Sequence, residues 1–159
     1  MRFQIVAVGK LRGGWLKQGC TDFQKRLSRH AGLSIVEVPD LPWAASQSAA
    51  EARRVIEAEG EKLLARINPR SYVIALDPAG KAFSSEKLAS FFQHRAVQGM
   101  GYFTFVIGGS LGLSKAVLSR ADLVLSFSEF TFPHQLMRLI LLEQLYRSCK
   151  IIAGETYHK

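Results

Sequence analysis

The sequence predicts an α/β fold: a mainly parallel sheet flanked by helices. Three observations carry this. Short apolar runs alternate with helical patterns from one end of the chain to the other. The runs at 72–76, 103–107 and 123–127 are apolar at nearly every position, as expected of strands covered on both faces. No internal repeat, low-complexity tract or linker interrupts the pattern, and 159 residues with 48% hydrophobic and 21% charged content suit one domain with a sizeable core.

The elements follow in order. Residues 3–8 read as a strand, after which Gly9, Gly13 and Gly14 punctuate a loop. Helical spacing over 15–30 puts Trp15, Cys20, Phe23 and Leu27 on one apolar side. A second strand at 33–38 is stopped by Pro39 and Pro42. A long amphipathic helix covers 47–67, with Val55, Ile56, Leu63, Leu64 and Ile67 inward and Glu51, Arg54, Glu57, Glu61 and Lys62 outward; Pro69 marks its end. The strand at 72–76 runs into a turn, Asp77-Pro78-Ala79-Gly80, and Ser84-Ser85-Glu86 opens a helix with Leu88, Phe91 and Phe92 inward. The strand 103–107 precedes Gly108-Gly109-Ser110-Leu111-Gly112, a short helix spans 114–120, and 123–127 is a further strand. The last helix runs over 133–148, before a tail ending Tyr157-His158-Lys159.

Charge and composition narrow the function. Lys and Arg total 21 against 13 Asp and Glu, a net +8 that favours a polyanionic partner: RNA, DNA or an anionic membrane surface. Cys20 and Cys149 stand far apart without metal or redox spacing and read as buried thiols. The N-terminal apolar run is shorter than a signal peptide's core, and no stretch approaches the ~20 apolar residues of a membrane span, so a cytoplasmic protein is expected. The histidines and acids show no ligand spacing, so no metal is expected.

In parallel sheets, ligands bind beyond the carboxyl ends of the strands. Here those ends carry Leu76-Asp77-Pro78, Gly108-Gly109, and the segment Phe127-Ser128-Glu129-Phe130-Thr131-Phe132. The paired glycines suit either a tight turn or close approach of a ligand to bare backbone. Their spacing is neither a dinucleotide fingerprint nor a P-loop, which leaves phosphate cradling unsupported. An apolar crevice with backbone donors suits an adenine and a methionine chain better.

The last helix is apolar nearly all round, which expects burial, partly against another subunit. It nevertheless carries His134 and Arg138 four residues apart, and Glu143 and Arg147 likewise, so each pair shares a face. Glu143 and Arg147 read as a packing ion pair, as a site that holds an arginine for RNA, or as both. The terminal Tyr157-His158-Lys159 offers a ring, an imidazole and a cation, the parts of a base-binding hook. Lys10, Arg12, Lys17, Lys25, Arg26 and Arg29 gather near the N-terminus, either as a phosphate-binding surface or as a solvated helix face.

The run Thr131-Phe132-Pro133-His134-Gln135-Leu136, with Arg138, Glu143-Gln144-Leu145-Tyr146-Arg147 and the final Tyr157-His158-Lys159, resembles the bacterial rRNA large-subunit methyltransferase H family of the SPOUT class. Phe105-Val106-Ile107-Gly108-Gly109, Leu76-Asp77 with Gly80-Lys81, and Ser84-Ser85-Glu86 match as well, and the resemblance spans Val8-Gly9-Lys10 to the last lysine. It implies a homodimer, a C-terminal trefoil knot, and transfer of a methyl group from S-adenosylmethionine to N3 of a pseudouridine in 23S rRNA within the assembled ribosome. It also implies a cofactor pocket of Leu76, Gly108, Phe127, Ser128, Glu129, Phe130, Thr131 and Phe132, and a catalytic side of Glu143, Arg147, Tyr157 and His158. Phe130 stands where the family commonly has methionine, and Thr156 where a proline commonly precedes the Tyr-His pair. Within the implied reaction, Arg147 is ranked first as stabiliser of the imide anion and His158 second as general base. Two other classes remain: a non-catalytic ribosome-associated RNA-binding protein, and a generic nucleotide-binding α/β protein.

Overall fold

The computed structural model describes residues 1–157. Five strands, β1 (Arg2–Val8), β2 (Gly32–Val38), β3 (Tyr72–Ala82), β4 (Tyr102–Ile107) and β5 (Leu123–Ser126), form one sheet in the order β2-β1-β4-β3-β5. Every neighbouring pair is parallel. The connecting helices are α1 (Gly14–Leu27), α2 (Ala49–Leu64), α3 (Ser85–Val97) and α4 (Lys115–Arg120), and α5 (His134–Ile152) follows β5.

The near-continuous apolar strands are explained by two cores. Phe3, Ile5 and Ala7 of β1 and Phe103, Phe105 and Ile107 of β4 pack with Cys20, Leu27, Leu88, Phe92, Leu141 and Leu145 of α1, α3 and α5. The alternate residues Val6, Val8 and Val106 meet Leu63 of α2 and Val117 of α4 on the opposite face. Phe92 and Phe103 approach to 4.9 Å between ring centroids, one of several aromatic contacts in the larger core, each worth about 0.5–1.5 kcal/mol beyond area burial. The polar Gln4 and Thr104 on the second face satisfy one another at 2.8 Å, and Gln4 also bonds the backbone at Arg66 and Asn68.

Local signals account for the helix starts. Ser48 and Glu51 close a reciprocal capping box on α2, while Ser84 and Ser114 each accept a backbone N–H to start α3 and α4. Every residue of helix α5 is at least partly buried, in line with its all-round apolarity.

Four expectations need correction. Trp15 is 64% exposed, because the inward stripe of α1 is Leu16, Cys20 and Leu27, one residue out of phase with it. The turn at 77–80 does not end its strand: Leu76 and Lys81 both pair with Leu125, so β3 bulges out and resumes. Helix α2 is shorter than 47–67, while α5 continues four residues past 148 to Ile152. Apart from these four, Arg138, for which the sequence carried no burial expectation, is fully buried and tied to elements far away in sequence.

Candidate active site

Because β4, β3 and β5 are adjacent, the carboxyl ends of β4 and β5 and the bulge of β3 open on one place. There lies a cavity of about 600 Å³, within the ~300–1,000 Å³ of small-ligand sites. Leu76, Asp77 and Pro78 line it from the bulge of β3; Gly108, Gly109, Ser110 and Gly112 from the loop after β4; Phe127, Ser128, Phe130, Thr131 and Phe132 from the exit of β5. His134 and Met137 close it from the first turn of α5.

Backbone packing shapes this cavity. A Cβ on Gly108 would lie 2.5 Å from the carbonyl oxygen of Gly112, and one on Gly80 would lie 2.7 Å from the backbone of Val124. The first glycine lets the loop fold back, where Gly112 N–H donates to the Gly109 carbonyl at 3.1 Å. The second lets β3 resume against β5. The exit of β5 is ordered by Ser128, whose hydroxyl accepts from Phe130 N–H at 3.0 Å. The tight-turn reading of the glycine pair holds, and both glycines lie in the cavity lining.

The amino end of α5 is anchored to the other half of the sheet. Arg12 N–H donates to Gln135 Oε1 at 2.7 Å. Buried Arg138 donates to the Gly9 carbonyl at 2.9 Å and forms an ion pair with Glu37. Burial, reinforced by the Arg138 charge, holds His134 below the ordinary imidazole range, so its ring is neutral at neutral pH.

A second group sits at the carboxyl half of α5. Arg147 Nε donates to Glu143 Oε1 at 3.0 Å, and Tyr157 Oη donates to the same oxygen at 3.1 Å. The Arg147 guanidinium lies 4.9 Å from the centroid of the Tyr157 ring, a cation–π contact. Glu143 Oε2 accepts from Gln144, which accepts in turn from Ser85 of α3. The hydrogen bond to Glu143 raises the Arg147 pKa, and burial, then the Glu143 charge, raises that of Tyr157. The group thus presents a fixed cation and a protonated phenol.

Of the residues expected around a cofactor, Leu76, Gly108, Phe127, Ser128, Phe130, Thr131 and Phe132 line the cavity together. Glu129 does not: it is exposed and outside the lining. Glu143, Arg147 and Tyr157 come together, but away from the cavity; ten residues of helix separate Met137 from Arg147, about 15 Å. His158 lies outside the described residues. Sequence reasoning missed His134 and Met137 as cavity walls, although α5 directly follows the segment 127–132. It also missed Glu59, which is buried behind Gly109. Among the described residues, no group of three or more His, Cys, Asp or Glu side chains is placed to hold a metal.

A parallel sheet with an apolar cavity where β4 and β5 end and β3 bulges defines a class: α/β proteins with a small-ligand cavity beyond the strands of the sheet. Residues 1–158 match the family described as predicted SPOUT methyltransferase. Full-length relatives named ribosomal RNA large subunit methyltransferase H are 54% identical in Carboxydothermus hydrogenoformans, 52% in Alkaliphilus oremlandii and 50% in Finegoldia magna, covering all of this chain and of each relative. The chain therefore belongs to the SPOUT methyltransferase family, within its large-subunit methyltransferase H branch. Two solved structures share the fold at 14% identity. A probable methylase family protein from Haemophilus influenzae has a TM-score of 0.54 over 99% of this chain and 70% of its own. A probable methyltransferase from Bordetella pertussis has 0.56 over 92% and 95%.

Proposed function

We propose that this protein transfers the methyl group of S-adenosylmethionine to N3 of a pseudouridine in 23S rRNA, acting on the assembled ribosome as a cytoplasmic homodimer. The observation that carries the reading is the cavity: seven of the eight cofactor residues implied by the family motifs converge on one apolar space of about 600 Å³. Apolar walls suit adenine and the methionine chain, and bare backbone at Gly108 suits their polar edges. The trefoil-knotted path of the carboxyl-terminal segment belongs to the same reading, as does the single-domain organisation.

S-adenosylmethionine supplies a methyl group already activated by its sulfonium. The protein has to align N3 with it, exclude water and favour loss of the N3 proton. That proton leaves to a base, the N3–methyl bond forms, and the methyl–sulfur bond breaks to leave the thioether. Arg147 is suited to stabilise the imide anion, because Glu143 and Tyr157 hold its guanidinium in place. The separation of about 15 Å along α5 supports the homodimer, with Arg147 of one copy serving the cavity of the other. Lys10, Arg12, Lys17, Lys25, Arg26 and Arg29 are all exposed, and Arg12 and Arg26 are ion-paired with Asp40 and Asp22. They offer phosphate contacts whose binding weakens with salt.

The test is methyl transfer from labelled S-adenosylmethionine to assembled ribosomes, free 50S subunits and naked 23S rRNA, all from cells lacking the activity. The expected result is label on pseudouridine N3, largely confined to assembled ribosomes. A folded protein that labels none of the three would favour a non-catalytic ribosome-associated RNA-binding protein instead.

A further inference from the structure

Two adjacent residues in the interior of α2 break the rules of a surface helix. Glu59 is only 4% exposed, and Gly60 sits where glycine weakens a helix. Both face the loop that follows β4. A Cβ on Gly60 would lie 2.2 Å from the hydroxyl of Ser114, and one on Gly109 would lie 2.6 Å from Glu59 Oε2. Helix α2 is thereby drawn tightly against both ends of the 109–114 segment. A sequence that departs from local preference twice, side by side and against one loop, marks a place where something other than stability is served.

The carboxyl is held from one side only. Its Oε1 accepts from Leu41 N–H at 3.0 Å, while Oε2 is buried without a hydrogen-bond partner among the described residues. Burial raises its pKa, Asp40 adds to the rise, and the Leu41 N–H and Lys62 oppose it. No ion pair within 4.0 Å neutralises it among the described residues. Gly109 lines the cavity, so one glycine backbone separates this carboxyl from the ligand space. Asp77, the carboxylate in the lining itself, is only half-buried and open to screening by water. A charge buried behind the loop is felt over several ångströms with less attenuation than one open to solvent.

Building on the proposed reaction, we propose that Glu59 is a selectivity residue of the cofactor site: its buried carboxylate, one glycine behind the cavity, favours a cationic sulfonium ligand over the neutral thioether left after methyl transfer. The two ligands differ at the sulfur by one methyl group and one unit of positive charge. A fixed negative charge behind the loop distinguishes them without touching either. It also assists turnover, since the spent ligand loses the attraction that the incoming one gains.

The experiment is calorimetric titration of the full-length protein with S-adenosylmethionine and with S-adenosylhomocysteine, alongside thermal melting of the free protein. Glu59→Gln keeps the acceptor for Leu41 N–H and removes the charge. It is expected to weaken S-adenosylmethionine about five- to tenfold and S-adenosylhomocysteine less than about twofold, with no fall in melting temperature. Glu59→Asp, which retains the charge, keeps the wild-type ratio of the two affinities even if both weaken. Glu59→Ala lowers that ratio, which gives a second reading should the glutamine variant fail to fold. Equal weakening of both ligands in Glu59→Gln would reduce Glu59 to a support for the loop and overturn the proposal, as would no change in either. Wild-type protein that binds neither ligand would overturn the methyl-transfer reading and this one with it.

Discussion

The two ends of α5 are built on different principles. At the amino end, the cavity is shaped by backbone meeting backbone: Gly108 under Gly112, Gly80 against β5, and a serine-ordered strand exit. At the carboxyl end, Glu143, Arg147 and Tyr157 are joined by side-chain contacts, with one carboxylate oxygen receiving both donors. A loop packed backbone against backbone fails when atoms are added. A cluster made by side chains has the opposite weakness, since deleting one member releases the others.

That contrast can be broken most sharply at Arg147. Arg147→Ala is expected to lower the single-turnover rate of methyl transfer by about 10²–10³-fold, the usual loss of an electrostatic stabiliser, while S-adenosylmethionine affinity stays within about twofold because Arg147 is no part of the cavity lining and acts on the substrate anion. His158→Ala should lower the same rate moderately; a larger loss than for Arg147→Ala would reverse their ranking. At the other end, Gly108→Ala forces a contact of 2.5 Å with the Gly112 carbonyl. Calorimetry should show S-adenosylmethionine binding weakened by an order of magnitude or more, with stability down by about 1–3 kcal/mol.

Tyr157→Phe is gentler. It removes one hydrogen bond to Glu143, worth about 0.5–1.5 kcal/mol, and leaves the ring beneath Arg147. A loss of about three- to tenfold in rate is expected, and no change at all would separate the phenol from the work of Arg147.

The smallest effect concerns His134. Its folded pKa lies below the ordinary 6.5, so the unfolded chain binds more protons as the pH falls through that value. Stability should therefore decline on acidification below 6.5 and level off once the buried imidazole is itself protonated. His134→Gln should flatten that part of the melting-temperature profile, and an unchanged slope would assign it to other groups.

How far this arrangement was legible in the chain follows from where the causes lie. The three central strands were legible because burial on both faces leaves a continuous apolar signature, and their ends named the cavity because parallel sheets place ligands there. Leu76, Gly108 and the 127–132 segment followed, apart from Glu129. The resumption of β3 after Gly80 was not legible: Asp77-Pro78-Ala79-Gly80 is a turn signal in isolation, and only the edge of β5 recaptures the strand. Trp15 and Leu16 compete for one inward position, and helical spacing alone does not choose between them. Arg138 and Glu59 were hidden for a common reason. A buried charge is decided by partners distant in sequence, 129 residues away for the Gly9 carbonyl, and periodicity assigns charges to the outside.

The Arg138 contact has a consequence for the chain as it is made. The central pairing of β1 with β4 joins Arg2 to Tyr102, and the clasp between Gly9 and Arg138 comes later still. During synthesis, β1 and β2 emerge as a fragment whose open edge waits for β4, and the cavity wall waits for α5. Long-range closure of this kind slows folding and leaves apolar strand edges uncovered meanwhile. A product of translation that stops before α5 lacks the His134 and Met137 walls of the cavity and the Arg138 clasp.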